Sequence, residues 1–368
     1  MTLSTAVGGT TSFLDRCAEG VGIIAGGATA STAQTPRDVV WTKNKATLYR
    51  YVSDTAPKHP VPILLVYALV GRSYVFDLMP GNSFVEFLVG EGFDVYLLDW
   101  GIPGPEDRDL GFDDYVLDYL PRAVKKVLRS SGTEQLTLFG YCQGGVMSAM
   151  YAALMPEHLR NLVLLTTPVD FTPGTTGLPG LWLKKEHHDP DVVVNAYGNV
   201  PAKKSLLGTA MQKPLPNYVG TYVTMWNLLL RDKPMDGWRA MSKWANDSIP
   251  VAGAAYRQWV EDFHRGNRLA QGEMRLRGRR VDLSTISVPL LNIAGRKDHL
   301  CLFSQAEATM DLVSSQDKTL LALDAGHVGL LVGRGARNGM WPETSAWLAA
   351  RSSDETPALP HRTRRTPS

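Results

Sequence analysis

Gly140-Tyr141-Cys142-Gln143-Gly144-Gly145 constrains this chain more than any other stretch. It follows a short apolar run, Leu136-Thr137-Leu138-Phe139, and precedes a helix-like run over 146–154. Strand, tight turn and helix in that order make a nucleophile elbow, where a reactive side chain stands on a strained turn above a parallel sheet. Gly140 and Gly144 allow the close backbone approach that such a turn demands. The residue on the turn is a cysteine. A thiolate is a strong nucleophile near neutral pH and a good leaving group, so a thioester exchanges onto it with little change in free energy. The chemistry suggested is acyl transfer between thiols and hydroxyls, more than simple ester hydrolysis.

The surrounding pattern supplies a sheet for the elbow. Apolar, β-rich runs recur at 62–69, 93–100, 136–139, 162–169, 289–294 and 318–323. Runs buried on both faces and spaced by helix-length intervals imply a parallel sheet with covering helices. Helices are predicted over 81–92, 112–130 and 144–154. Residues 39–52 alternate around Lys43-Asn44-Lys45, which fits a hairpin at the sheet edge. The rhythm stops after Asp170. Residues 171–250 are rich in Pro, Met and aromatics, among them Trp182, Tyr197, Tyr218, Tyr222, Trp226, Trp238 and Trp244. This stretch reads as an inserted helical cap, whose aromatics form a small core of their own, a lid over Cys142, or both. Residues 1–37 lack periodicity and read as loosely ordered, with one short helix near 13–21. The Ser/Thr/Pro-rich basic tail, 351–368, reads as disordered. The catalytic domain is therefore expected over 38–350.

Composition excludes several classes. A net charge of +2 gives no drive toward nucleic acid. Cys17, Cys142 and Cys301 are too few and too scattered for a disulfide framework, and no CxxC pair suggests zinc. Adjacent His187 and His188 lack further ligand spacing, so no metal site is expected. No apolar run reaches the ~18 residues of a membrane span. No Lys/Arg-led start precedes the glycine-rich apolar stretch 21–30, so a cytoplasmic location is expected by exclusion.

A nucleophilic thiol needs a base, and the base needs an orienting acid. The elbow resembles that of the α/β-hydrolases, where the order along the chain is nucleophile, acid, histidine. Asp298 lies in Gly295-Arg296-Lys297-Asp298-His299, just after the 289–294 run, and His327 lies in Ala325-Gly326-His327-Val328-Gly329, just after 318–323. Both fall beyond strand C-termini, where doubly wound sheets place their sites. Cys142, Asp298 and His327 form the candidate triad. His299 is the competing base and a candidate for lining the site; Asp170 is the alternative acid. For the oxyanion, the backbone N–H of Gln143 is one expected donor and that of Val70 the other, with its neighbours over 68–72 as fallback. Tyr141 and Trp182 are further candidates for lining the site.

Longer segments carry a closer resemblance. They are Leu65-Val66-Tyr67-Ala68-Leu69-Val70-Gly71-Arg72, Asp77-Leu78-Met79-Pro80-Gly81, Asp94-Val95-Tyr96-Leu97-Leu98-Asp99-Trp100-Gly101 and the elbow itself. Pro168-Val169-Asp170-Phe171, Lys243-Trp244-Ala245-Asn246-Asp247-Ser248, Lys297-Asp298-His299-Leu300 and Gly326-His327-Val328-Gly329 complete them. Together they run through about 38–350, and they resemble the polyhydroxyalkanoate synthases. The large N-terminal domain of the one-component synthases is not seen, so the resemblance is to the catalytic subunit of the two-component class III type. It implies an α/β-hydrolase fold and polymerisation of (R)-3-hydroxyacyl-CoA. In that reading Cys142 carries the hydroxyacyl group as a thioester and CoA is released. His327, held by Asp298, deprotonates the thiol. No metal or organic cofactor is implied. The implied partners are the growing polyester chain, the granule surface, and a second synthase subunit or a second copy. Gly71, where the family usually has Asn, and Tyr141, larger than usual, depart from the pattern. A thioester or ester hydrolase using the same triad, and a non-catalytic granule-binding protein, are the rival readings.

Overall fold

A computed structural model describes residues 20–22, 30–172, 187–204, 221–231 and 234–352. The main sheet has eight strands: β1 Arg37–Lys43, β2 Ala46–Tyr51, β3 His59–Val66, β4 Phe93–Asp99, β5 Leu136–Tyr141, β6 Leu159–Leu165, β7 Leu290–Gly295 and β8 Lys318–Leu323. Their spatial order is β1-β2-β4-β3-β5-β6-β7-β8. β1 and β2 form the antiparallel edge hairpin expected around Lys43-Asn44-Lys45, with Asn44 at φ 50° in its turn. From β4 to β8 every pairing is parallel.

Parallel strands need helical crossovers, and these bury both faces of the sheet. That is why β5 and β7 are buried at every residue. Successive side chains then point to opposite layers. Leu64, Val66, Leu98, Leu138 and Leu164 pack on one face, with α2 (Leu120–Ser131) and α3 (Gln143–Leu154). Ile63, Leu65, Leu97, Phe139, Tyr141 and Val163 pack on the other, with α1 (Phe84–Glu91) and the helix Met340–Ala349. The fold is the α/β architecture expected, with helices on both faces.

Some boundaries differ from the sequence reading. α1 begins at Phe84, not 81, because Asn82–Ser83 pairs with Asp77–Met79 in a small ribbon. Ser83 Oγ then accepts from Glu86 N at 2.9 Å and caps the helix. The helix predicted over 112–130 contains a π-helical stretch, Tyr115–Tyr119. β6 covers Leu159–Leu165 and ends at Thr166, whose φ of 45° breaks the strand before 169.

Within 171–250 the described elements are the helices Pro190–Tyr197, Thr221–Leu230 and α4, Asp236–Asn246. Trp226 and Trp238 pack with Met225, Leu229 and Met235 in a separate small cluster, whereas Trp244 packs against the main core. Trp182, Tyr218, residues 1–19 and the tail from 353 lie outside the described residues. Among the described residues no helix is long and apolar enough to cross a membrane.

Candidate active site

The sheet register brings the predicted residues to one edge. Val66 pairs with Gly140, Tyr141 with Leu165, Leu165 with Ile293, and Gly295 with Leu323. The C-terminal ends of β3, β5, β6, β7 and β8 therefore line up. Val70, Cys142, Asp298 and His327 sit on the turns just past four of them.

Cys142 has φ 55° and ψ −123° and precedes the first residue of α3. Positive φ is unfavourable for a residue with a Cβ, so the surroundings must impose it. Cys142 N donates to Leu165 O at 3.0 Å, and Cys142 O accepts from Gly145 N at 2.9 Å. The glycines make this packing possible. A Cβ on Gly140 would lie 2.4 Å from Gly145 Cα, and one on Gly144 would lie 2.2 Å from Val66 O. Gly145 faces Thr167 Oγ1 even more closely, at 1.8 Å from an added Cβ. The turn is thus pressed between β3 and the end of β6, and the thiol is presented partly exposed.

His327 Nδ1 and Asp298 Oδ2 are 2.7 Å apart, with side chains 7% and 0% exposed. Asp298 Oδ1 accepts from Leu300 N at 2.8 Å and Cys301 N at 3.0 Å. The carboxylate is therefore fixed by its own turn and points one oxygen at the imidazole. Burial pulls the His327 pKa down, but the neighbouring Cys142 charge and the hydrogen bonds to Asp298 and Cys142 outweigh it, raising the pKa to about 10. The arrangement favours a protonated imidazole beside the Cys142 sulfur. Asp170 is engaged elsewhere: its Oδ1 accepts from Thr172 N at 2.9 Å and Asn267 Nδ2 at 2.7 Å. Of the two candidate acids, Asp298 is the one bonded to His327. His299 is partly buried beside it and takes no part in the Asp298–His327 bond.

Tyr141 is buried under the histidine. Its ring lies 5.2 Å from that of His327 and stacks on Tyr67 at 5.5 Å. Its hydroxyl donates to His327 O at 3.4 Å. Burial, reinforced by Tyr67 and Cys142, holds its phenol well above the ordinary pKa, so it stays protonated. Tyr141 therefore supports the His327 backbone and belongs to the core face of the sheet.

Gln143 is the first residue of α3, so its amide belongs to the turn whose N–H groups lack intrahelical acceptors. Its side chain has a second task that sequence reasoning missed: Oε1 accepts from Leu69 N at 3.2 Å. This occupies the Leu69 amide and leaves Val70 as the next amide on the loop. Beside that loop is a small pocket lined by Tyr67, Gly71, Arg72, Asp99, Trp100 and Ile249, among others. Among the described residues no group of three or more His, Cys, Asp or Glu side chains is gathered as for a metal ion.

The chain is similar to several known proteins. Residues 61–333 match the alpha/beta hydrolase fold family, and residues 27–88 match the poly-beta-hydroxybutyrate polymerase (PhaC) N-terminus. The poly(3-hydroxyalkanoate) polymerase subunit PhaC of Haloferax mediterranei is 41% identical over 330 residues, covering 89% of this chain and 67% of that one. The subunit of the same name from Allochromatium vinosum is 38% identical over 323 residues, covering 87% and 90%. The chain belongs to the poly(3-hydroxyalkanoate) polymerase family. A thermophilic esterase from Thermogutta terrifontis shares the fold, with a TM-score of 0.50 at 16% identity over 87% of this chain and all of that one.

The departure at Gly71 from the resemblance to polymerases has a backbone reading. Gly71 has φ 72°, in the left-handed region that glycine and asparagine tolerate best. Glycine takes this loop conformation without strain. Trp244 and Asp247 also reach this loop, which periodicity in the 171–250 stretch gave no means to foresee.

Proposed function

We propose that this chain is an acyltransferase that polymerises (R)-3-hydroxyacyl groups from CoA thioesters into a polyester, with Cys142 as nucleophile, His327 as acid and base, and Asp298 as its orienting partner. The observation that carries this reading is a cysteine at the elbow facing a buried histidine whose Nδ1 lies 2.7 Å from a buried carboxylate. Family membership supports the polymerase assignment over a hydrolase using the same residues.

The Cys142 thiolate attacks the thioester carbonyl carbon. The carbonyl oxygen becomes an oxyanion, for which the Gln143 and Val70 amides are the proposed donors. The C–S bond to CoA breaks, and the departing thiolate takes the proton from the His327 imidazolium. His327, now neutral, accepts the proton of an incoming 3-hydroxyl group. That oxygen attacks the acyl-Cys142 carbonyl, an ester forms, and the Cys142 thiolate departs beside a restored imidazolium. Asp298 keeps Nδ1 occupied, so the other ring nitrogen faces the sulfur. In the same reading the 171–250 insertion caps the site, the product grows at a granule surface, and a second subunit or a second copy raises activity.

The test is incubation with 3-hydroxybutyryl-CoA, with and without a second synthase subunit, following CoA and product together. CoA release with polyester is expected. CoA release with only free 3-hydroxybutyrate would replace the polymerase reading with a hydrolase.

A further inference from the structure

The C-terminal end of α4 packs on the loop that follows β3. Trp244 Nε1 donates to Arg72 O at 2.8 Å. The Tyr74 hydroxyl donates to Asp247 Oδ2 at 3.1 Å. Arg72 Nε lies 4.0 Å from that same carboxylate oxygen, and it is buried without a hydrogen-bond acceptor. The Trp244 indole also borders Gly71, whose added Cβ would lie 3.8 Å from Cζ2. Lys243 anchors the same helix end by donating to Ala30 O at 2.9 Å and Thr32 Oγ1 at 3.1 Å.

The loop is therefore held from two sides. Leu69 is tied to Gln143, the residue after Cys142. Arg72 and Tyr74 are tied to Trp244 and Asp247. Val70 and Gly71 lie between the ties. Gly71, at φ 72°, adds little stiffness of its own, since glycine visits many backbone conformations readily. The direction of the Val70 amide therefore depends on both ties, and the grip on Arg72 is the one that limits how far Gly71 can swing.

We infer that Trp244 and Asp247 are positioning residues that aim the Val70 amide at the oxyanion of the acyl-transfer step. The inference rests on the proposed roles of Cys142 and Val70. Asp247 also places a carboxylate oxygen 4.0 Å from Arg72 Nε, the one buried nitrogen of that side chain that has no hydrogen-bond acceptor. An oxyanion donor works only within about 2.7–3.1 Å of the developing charge, and removing one costs about 10²–10³ in rate. Loosening its mount costs less, on the order of 10–10².

Two rates measured on the full chain separate aiming from folding. One is the single-turnover release of CoA from 3-hydroxybutyryl-CoA, which passes through the oxyanion. The other is alkylation of Cys142 by iodoacetamide, which needs the thiolate and forms no oxyanion. Trp244→Phe keeps the ring and removes the N–H. Asp247→Asn keeps an acceptor for Tyr74 and removes the charge. Each variant should lose about 10- to 100-fold in acylation, with little change in KM, while alkylation rate and its pH profile stay at wild-type values. Equal losses in acylation and alkylation, with a lower melting temperature, would make the contacts merely structural and overturn the inference. So would wild-type acylation in both variants. Failure of the functional reading looks different: the wild-type chain would itself form no acyl-Cys142 thioester.

Discussion

Gly144→Ala puts a methyl group against a backbone carbonyl. Its Cβ would lie 2.2 Å from Val66 O and 2.7 Å from the carbonyl carbon of Tyr67. A carbon–oxygen contact needs roughly 3.3 Å, so the two segments must part by about 1 Å. Val66 is held in the sheet by pairing with Gly140 and Leu98, so the start of α3 must yield, and Cys142 moves with it. Overpacking of this kind costs about 1–3 kcal/mol. Unfolding entropy of ~2.1 cal/mol/K per residue, over 368 residues, is about 0.8 kcal/mol/K. The melting temperature should therefore fall by about 1–4 °C. A misplacement of about 1 Å between nucleophile and loop costs far more in rate, roughly a hundredfold. Gly90→Ala is the control. It lies in α1 with nothing within 4 Å of an added Cβ, so it should stabilise by up to about 1 kcal/mol and leave turnover alone. Thermal melts by circular dichroism and a thiol-dye assay of CoA release measure both effects. A Gly144→Ala chain with wild-type melting and wild-type turnover would refute the packing argument.

The triad gives further expectations. Cys142→Ser should leave little polymerase activity, since serine is a poorer nucleophile and its ester a less reactive intermediate; full polymer yield would remove the thioester from the mechanism. His327→Gln should lower turnover by about 10²–10⁴. It should also slow alkylation of Cys142 by iodoacetamide, since the sulfur loses the base beside it. The same histidine predicts a stability trend. Burial lowers its pKa, but Cys142 and Asp298 raise it overall from 6.5 to about 10, so its stabilising contribution is complete below pH 6.5 and is lost as pH rises through about 10. The melting-temperature gap between wild type and His327→Gln should narrow over that window. Asp298→Asn should cost orders of magnitude in turnover through lost imidazole orientation, with His299→Gln much milder; the reverse ranking would reassign the pair.

The parallel strands and the turns after them were legible because the central apolar runs are buried on both faces and the turns carry reactive or glycine residues. Cys142, Asp298 and His327 could each be assigned a place at a strand end without knowing any contact. Strand ends were harder. Thr166 continues the β-rich composition past β6, yet its φ of 45° ends the strand, next to where Thr167 packs closely on Gly145. Ribbon and helix were confused at 81–83 because Asn82 and Ser83 pair with a segment that only the folded chain brings close. The π-helical stretches at Tyr115–Tyr119 and Trp259–Arg265 keep a helical apolar spacing, so periodicity does not separate them from α-helix. Tyr141 was expected to line the site; its packing against Tyr67 and under His327 follows from which face of β5 it occupies. The grip of Trp244 and Asp247 on the loop after β3 joins positions about 170 residues apart, which no local pattern encodes.

The central claim is that the hydroxyacyl group is carried on Cys142. Mixing the chain with 3-hydroxybutyryl-CoA, quenching in acid and mapping peptides by mass spectrometry tests it directly. The account predicts a 3-hydroxybutyryl thioester on the peptide containing Cys142, sensitive to hydroxylamine and absent from Cys142→Ala. CoA release with no adduct on Cys142, or an adduct on Cys301 instead, would contradict it.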